Sequence, residues 1–236
     1  MARQRAAIVT GGTGALGQAI VQRLLAEGAA VTVPYIVDEE RERLLAAVGE
    51  RDRARVTLER ADVTDDRVMG ALVDAVVKRH GGVDILVSAV GGFAGGALVE
   101  TDRVTWERML ALNLTSVFVA ARAAVPAMVA GGYGRIVVIA SRGVVPPAAG
   151  FIAYTAAKAG AIAFTQALAS EVKGAGVTAN AVLPSTMDTA ANRASMPDVD
   201  PSKWVSLDSA SAVIAFLLGD DSRDISGAAI PVYGRA

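Results

Sequence analysis

The stretch YTAAK at residues 154–158 places a tyrosine and a lysine four positions apart in an alanine-rich segment with a helical pattern. Residues i and i+4 share one face of a helix, so Tyr154 and Lys158 point in the same direction. A free tyrosine is a poor acid–base group near neutral pH, because its pKa is about 10, and a nearby ammonium lowers that pKa by stabilising the phenolate. The pair alone is a candidate for proton transfer by the Tyr154 hydroxyl, but chance can also place a lysine four residues after a tyrosine, so the rest of the chain decides between the two.

The order of elements along the chain predicts a scaffold that can position this pair. Short apolar runs without alternation predict strands buried on both faces, near residues 6–10, 30–36, 55–61, 83–89, 134–140, 177–183 and 228–233. Helical patterns lie between them, near residues 15–27, 38–49, 65–80, 101–130, 151–173 and 207–218. This alternation predicts an α/β protein: a single-domain Rossmann fold over residues 1–236, with a doubly wound parallel sheet of about seven strands and helices on both faces.

A glycine-rich turn follows the first predicted strand. The segment TGGTGALG at residues 10–17 leads directly into a helical pattern. Gly12-x-Gly14-x-x-Gly17 fits the dinucleotide fingerprint, in which glycines permit a tight turn and let backbone N–H groups approach a pyrophosphate at the helix N-terminus. We therefore expect a dinucleotide to bind at this turn. The same segment also fits TGxxxGxG, with Ala15 in place of the middle glycine.

Three features resemble the short-chain dehydrogenase/reductase family. They are the TGxxxGxG pattern, the YxxxK pair, and Ser141, which lies thirteen residues before Tyr154. The resemblance covers nearly the whole chain. Its further matches are ADVTD (61–65), VDILVSAVGG (83–92), NLTSVF (113–118), LPSTMDT (183–189) and ISGAAIPVYG (225–234). The chain departs from the family at residues 88–90, where Ser-Ala-Val replaces Asn-Asn-Ala, and at Ser185, which replaces a glycine.

The resemblance implies that the protein transfers a hydride between a nicotinamide cofactor and a carbonyl/alcohol substrate, as a ketone or aldehyde reductase or an alcohol dehydrogenase. Tyr154 would transfer the proton, Ser141 would hydrogen-bond the same substrate oxygen, and Lys158 would also hold the nicotinamide ribose. Asn113 would hold a water that relays protons, although a helical asparagine also commonly makes only a local hydrogen bond or kink. The implied cofactor-binding residues are Gly11, Thr13, Gly14, Ala15, Leu16, Gly17, Tyr35, Asp62, Val63, Ala89, Val90, Gly91, Tyr154, Lys158, Pro184, Met187 and Thr189.

The end of the second predicted strand, which usually sets the preference between NAD and NADP, carries neither usual determinant. Tyr35 stands where a carboxylate would bind the ribose of NAD, and no basic residue adjoins it to accept the extra phosphate of NADP. We expect Asp38 to cap the next helix at its N-terminus, and Arg41 and Arg43 to lie on the outer face of that helix. The choice between NAD and NADP stays open.

The resemblance places a substrate loop at about residues 184–206, and the Pro, Ser and Asp content there favours a loop over a long helix. Phe93, Met187, Met196 and Trp204 are candidates either to line the substrate pocket or to pack the core.

Two alternatives to a carbonyl reductase remain. The segments GGTGALG, AVGGFAGGAL (89–98) and 183–204 resemble quinonoid dihydropteridine reductase, although Ser141 and Tyr35 depart from that enzyme type. The other alternative is a catalytically silent dinucleotide sensor, which the presence of both Tyr154 and Lys158 disfavours.

Composition disfavours several other classes of function. The chain has no cysteine and one histidine, so we expect no metal site. Net charge is −1 and basic residues are dispersed, which disfavours nucleic acid and anionic membranes as partners. Because we find neither a signal peptide nor an uninterrupted apolar run of transmembrane length, we expect a soluble, cytoplasmic protein. The resemblance implies a homotetramer or homodimer through the helices at 101–130 and 151–173; alternatively, these helices only cover the sheet.

Overall fold

The computed structural model describes residues 4–235 as a seven-stranded parallel sheet with helices on both faces. Across the sheet the strands follow the order β3-β2-β1-β4-β5-β6-β7. The order reverses between β1 and β4, and doubly wound sheets bind their ligands in the crevice beyond the carboxyl ends of the strands at such a reversal. The fold class is confirmed. The strands are β1 (Ala6–Thr10), β2 (Ala30–Tyr35), β3 (Val56–Arg60), β4 (Ile85–Ser88), β5 (Gly134–Ile139), β6 (Val177–Pro184) and β7 (Ala229–Val232).

Eight α-helices connect these strands within residues 4–235. They are α1 (Ala15–Ala26), α2 (Asp38–Ala47), α3 (Asp66–His80), α4 (Arg103–Leu110), α5 (Ser116–Gly131), α6 (Ile152–Val172), α7 (Ala190–Ser195) and α8 (Leu207–Leu218). Every predicted strand and helix is present, with bounds within two residues of the prediction, except that the helix predicted over 101–130 is divided into α4 and α5 by a turn at Ala111–Thr115. The short helix α7 was not predicted, because it lies in the segment that we expected to be a loop.

Two apolar layers sandwich the sheet. One layer lies between the sheet and helices α1 and α8, and the other between the sheet and helices α3, α5 and α6. Every residue of β5 and β6 is buried, which is why the apolar runs in their sequences show no alternation. Because the sheet is fixed from both faces, the carboxyl ends of β1, β4 and β5 form a rigid rim for the groups that follow them.

Helices α4 and α5 form one long rod with an irregular turn inside it. Residues Ala111–Thr115 between them adopt a π-helical turn. By length and composition, the rod Arg103–Gly131 is apolar enough to cross a membrane, and 39% of its most apolar stretch is buried. The expectation that no uninterrupted apolar run has transmembrane length is not contradicted, because Asn113 and Arg122 interrupt the run, although its mean hydropathy stays high. Helix α5 packs on α3, β4 and β5, as a core helix does.

Candidate active site

The glycine turn between β1 and α1 lies against the end of β4. Gly11 has φ +69°, and a Cβ placed on it would lie 2.6 Å from the carbonyl carbon of Ala89 and 2.6 Å from the nitrogen of Val90. A Cβ on Gly17 would lie 2.0 Å from the Gly11 carbonyl oxygen. Only glycine fits either position, so the two residues bring the turn and the start of α1 close to the segment that follows β4.

The first turn of α1 has free hydrogen-bond donors. The backbone N–H groups of Ala15, Leu16 and Gly17 have no acceptor within residues 4–235. Orphan N–H groups at a helix N-terminus, together with the positive end of the helix dipole, form an anion-binding site. Gly14, which precedes the helix, meets no atom closer than 3.4 Å at its Cβ position, so it leaves space above these donors. The turn therefore fits the pyrophosphate of a dinucleotide.

The role of Asp38, after β2, differs from our expectation. Asp38 is the first residue of α2, and Val37 occupies the N-cap position. The Asp38 carboxylate accepts a hydrogen bond from Arg60 at 2.8 Å, because Arg60 is the register partner of Tyr35 on β3. The prediction that Asp38 caps the helix was wrong. The Arg41 guanidinium lies 5.8 Å from the centroid of the Tyr35 ring.

Two of the residues implied to bind the cofactor, Asp62 and Val63, follow β3. Val63 is buried. Asp62 is exposed, and its Oδ1 accepts hydrogen bonds from the Thr64 backbone N–H at 2.9 Å and from the Thr64 hydroxyl at 2.7 Å. These bonds stiffen the loop at the carboxyl end of β3, beside the crevice.

Asn113 is fully buried in the π-helical turn and is anchored to the loop after β4. Its Nδ2 donates to the carbonyl oxygens of Gly92 and Met109, both at 3.0 Å, and its Oδ1 accepts from the Gly92 N–H at 3.2 Å. The local hydrogen bond that we kept as the alternative role is therefore present. A π-helical turn inside a long helix is frequent at functional sites. Here the turn places the Asn113 amide against the loop that follows β4.

Lys158 reaches the same space from α6. A Cβ placed on Gly91 would lie 2.9 Å from Asn113 Oδ1 and 3.4 Å from Lys158 Nζ, so both polar atoms border one small region beside Gly91. The ammonium donates to the carbonyl oxygen of Ile139, at the end of β5, at 2.6 Å. Lysine has three donors, so two remain for other partners. Lys158 thus links the end of β5 to the cofactor crevice.

Ser141 and Tyr154 form a pair at the carboxyl end of β5. The Ser141 side chain is close enough to the Tyr154 hydroxyl to lower the pKa of Tyr154, and Ser141 Oγ accepts from the Gly143 N–H at 3.2 Å. The Tyr154 ring meets the ring of Phe93 edge-on, with centroids 5.2 Å apart, and Phe93 in turn lies 5.2 Å from Phe151. Because Phe93 is 62% exposed, it offers an apolar face beside the Tyr154 hydroxyl.

The pKa of Tyr154 is shifted in the direction opposite to our expectation. Burial raises the pKa of the Tyr154 hydroxyl, and the hydrogen bond with Ser141 only partly offsets this rise. Lys158 is not among the causes of the shift. Its own burial lowers the pKa of the Lys158 ammonium to about 8, and the nearest partner of that ammonium is the Ile139 carbonyl. In the protein alone, the phenol is therefore the stable form of Tyr154.

Burial of Lys158 predicts a pH-dependent stability. Its folded pKa of about 8 lies below the unfolded value of 10.5, so between these values the unfolded state binds a proton that the native state lacks. In this range the free energy of unfolding of the wild type, relative to that of a Lys158→Met variant, must then rise by about 1.4 kcal/mol per pH unit. Urea unfolding at pH 7.5, 8.5 and 9.5 measures this difference, with Lys173→Met, at an exposed site, as the control for the lost charge. Parallel pH profiles for wild type and Lys158→Met would contradict it.

The proposed substrate loop is more structured than its composition indicated. Pro184 ends β6, Thr189 caps α7 by accepting from the Asn192 N–H at 3.1 Å, and Met187 pairs with Val205 in an isolated bridge. Trp204 is buried, with 9% exposure, so it packs the core side of the loop. The bridge and cap hold the segment beside the ends of β6 and β7.

The structure brings Asn113 and Lys158 together beside Gly91, and Ser141 and Tyr154 together at the carboxyl end of β5. Sequence reasoning missed the ring contact of Phe151 with Phe93, because no pattern in the sequence marks a contact between two loops. Among residues 4–235, no group of three or more His, Cys, Asp or Glu side chains is placed to hold a metal ion.

Comparison with known proteins agrees with this geometry. The sequence model of the family described as short chain dehydrogenase matches residues 5–200. The acetoacetyl-CoA reductase of Allochromatium vinosum is 34% identical over 244 aligned positions, covering 98% of this chain and 97% of that enzyme. A levodione reductase structure superimposes with TM-score 0.90 at 28% identity, covering 98% of this chain and 96% of that one. A structure of NAD+-bound xylitol dehydrogenase gives TM-score 0.89 at 26% identity, covering 98% of both chains.

Proposed function

Because the chain belongs to the short-chain dehydrogenase family, we propose that Tyr154, Ser141, Lys158 and Asn113 are the catalytic residues of this NAD(P)-dependent oxidoreductase. The enzyme transfers a hydride between the cofactor and a carbonyl/alcohol substrate. The observation that carries the residue assignment is the proximity of the Ser141 side chain to the Tyr154 hydroxyl at the carboxyl end of β5. It gives one substrate oxygen two hydroxyl partners beside a buried lysine.

The proton chemistry follows from the pKa of Tyr154. The bound nicotinamide supplies the hydride for the substrate carbon, or accepts it in the oxidative direction. Because burial raises the pKa of Tyr154, its hydroxyl is protonated at neutral pH and can donate to the substrate carbonyl oxygen. Ser141 donates a hydrogen bond to the same oxygen and stabilises the negative charge that develops there.

Lys158 and Asn113 would resupply the proton and orient the cofactor. One of the two remaining Lys158 donors would hold the nicotinamide ribose, and another would reach a water in the region beside Gly91. Asn113 Oδ1 borders that region and accepts only from the Gly92 N–H, so it can accept a second hydrogen bond from that water. A water held in this way would connect Lys158 to solvent.

The remaining cofactor contacts are proposed from the positions of residues at the carboxyl ends of the strands. The free N–H groups of Ala15, Leu16 and Gly17 would bind the pyrophosphate, and the small residues around the turn would let it approach. The other residues proposed to bind the cofactor are Gly11, Thr13, Gly14, Tyr35, Asp62, Val63, Ala89, Val90, Gly91, Pro184, Met187 and Thr189. They line the carboxyl ends of β1 to β4 and β6, which is where the fold binds a ligand.

On the substrate side, we propose that Phe93 forms an apolar wall beside the reacting oxygen and that residues 184–206 cover the site. Exposed aromatic faces next to a polar catalytic pair suit a substrate whose carbonyl adjoins an apolar group. The dihydropteridine reductase alternative gains no support from the acetoacetyl-CoA reductase, levodione reductase or xylitol dehydrogenase that resemble this chain.

We further propose that the protein is a cytoplasmic homodimer or homotetramer without a membrane partner. Phe118 and Val129 on α5 are each 44% exposed, and the Phe118 ring meets that of Phe164 on α6 at 6.4 Å between centroids. Apolar side chains exposed along two adjacent helices indicate an interface. A light-scattering mass of a single chain, or recovery of the expressed protein in the membrane fraction, would contradict this proposal.

The function is tested by a paired titration and activity assay. Purified protein is titrated with NADH and NADPH by fluorescence, then assayed with each against cyclic diketones, aromatic aldehydes, acetoacetyl thioesters and quinonoid dihydropterin. We expect binding of at least one cofactor and turnover of a carbonyl compound. Turnover confined to the dihydropterin would favour the alternative, and failure to bind either cofactor would contradict the proposed site.

A further inference from the structure

We propose that Glu40, on α2, sets the preference of this enzyme for NAD over NADP by placing its carboxylate at the adenosine ribose. The inference rests on the proposed function, because it concerns the cofactor of the same site. Neither usual determinant follows β2, so the preference must come from groups that the fold brings to the glycine turn from elsewhere.

Glu40 is hydrogen-bonded to the glycine turn itself. The Thr13 hydroxyl, within the fingerprint, donates to Glu40 Oε2 at 2.8 Å. Thr13 is 7% exposed, and its carbonyl oxygen accepts from Gln18 Nε2 at 2.7 Å, so the turn is held from both ends. Within residues 4–235, Glu40 is the one carboxylate that bonds to this turn. It lies 26 positions after Gly14, near the spacing at which an acidic residue binds the ribose 2′-hydroxyl.

The other charged side chains nearby do not draw the Glu40 carboxylate away from the glycine turn. Asp38 is held by Arg60 at 2.8 Å. Arg43 approaches Glu40 Oε1 at 3.7 Å, from a side chain that is 67% exposed. Arg41 is the group that would favour NADP, but its guanidinium lies over the Tyr35 ring rather than at the turn.

The chemistry at this position discriminates between the two cofactors. The 2′-hydroxyl of NAD can donate a hydrogen bond to the Glu40 carboxylate, which has acceptor capacity beyond its bond from Thr13. The 2′-phosphate of NADP has no proton to donate at neutral pH and carries about two negative charges. It would therefore meet an anion that is fixed against the turn, in a half-buried site where charge repulsion is only weakly screened.

The test compares Glu40→Gln with Glu42→Gln. Both variants remove one negative charge from α2, but Glu42 is exposed and makes no hydrogen bond to the turn, so it controls for the general effect of charge. Dissociation constants of NADH and NADPH are measured by fluorescence titration, independently of any substrate. We expect wild type and Glu42→Gln to bind NADH at least about tenfold more tightly than NADPH, and Glu40→Gln to lose most of that ratio through tighter NADPH binding.

Three results would overturn the inference. Wild-type preference for NADPH would show that Arg41 dominates over Glu40. An unchanged ratio in Glu40→Gln, or an equal change in Glu42→Gln, would show that the bond to Thr13 does not set the preference. In each of these cases a cofactor still binds and the proposed function stands, whereas failure of the wild type to bind either cofactor would contradict both.

Discussion

Replacement of Tyr154 by phenylalanine is expected to lower kcat by about a thousandfold, with the Kd of the cofactor within about twofold of wild type. The change removes the hydroxyl that gives its proton to the substrate oxygen and keeps the ring that packs edge-on against Phe93. Ser141 keeps its bond from the Gly143 N–H, so the end of β5 retains its shape. Steady-state kinetics in both directions and a fluorescence titration of the cofactor measure the two effects separately.

A second tyrosine provides the control for this substitution. The Tyr133 hydroxyl donates to Asp220 at 2.9 Å, and this residue directly precedes β5, at the end of the strand opposite Ser141. Tyr133→Phe therefore removes a tyrosine hydroxyl and its solvent-exposed hydrogen bond away from the crevice, and we expect its kcat to stay within about twofold of wild type. A Tyr154→Phe enzyme with more than a tenth of wild-type kcat would show that another group transfers the proton.

The sequence predicted the scaffold well because periodicity reports burial directly. Strands such as β5 and β6 are buried along their whole length, and this leaves an apolar run that no surface strand would have. The glycine turn was also predictable, because Gly11 and Gly17 each occupy a position that a side chain cannot enter. These features are local or are imposed by dense packing, and both leave a mark on the sequence.

The electrostatics of the site could not be predicted in the same way. The spacing of Tyr154 and Lys158 placed them on one helix face, but it could not show that Lys158 donates to Ile139, nineteen residues away in the chain. It likewise could not show that burial governs the pKa of Tyr154. The bonds of Asp38 to Arg60 and of Glu40 to Thr13 join residues that lie 22 and 27 positions apart in the chain, and no short pattern encodes them. Contacts of charged side chains of this kind depend on tertiary register.

Replacement of Gly17 by alanine is expected to lower the free energy of unfolding by about 3 kcal/mol and to raise the Kd of the cofactor at least about tenfold. The added Cβ would lie 2.0 Å from the Gly11 carbonyl oxygen and 2.6 Å from Gly12 Cα, which are backbone atoms that cannot rotate away. The turn must therefore open, and the free N–H groups at the start of α1 move from the positions that bind the pyrophosphate. Urea unfolding and fluorescence titration measure the two effects.

Gly70 provides the matched control, because it is also a helical glycine, in α3, and a Cβ on it would meet no atom within 4 Å. Alanine favours a helix over glycine, so Gly70→Ala is expected to raise the free energy of unfolding by about 0.5–1 kcal/mol and to leave cofactor binding unchanged. The opposite signs at two helical glycines would show that close packing, rather than helix propensity, makes Gly17 necessary. Equal stability and equal cofactor affinity for Gly17→Ala and wild type would contradict the geometry of the turn and remove the physical basis for assigning the pyrophosphate to it.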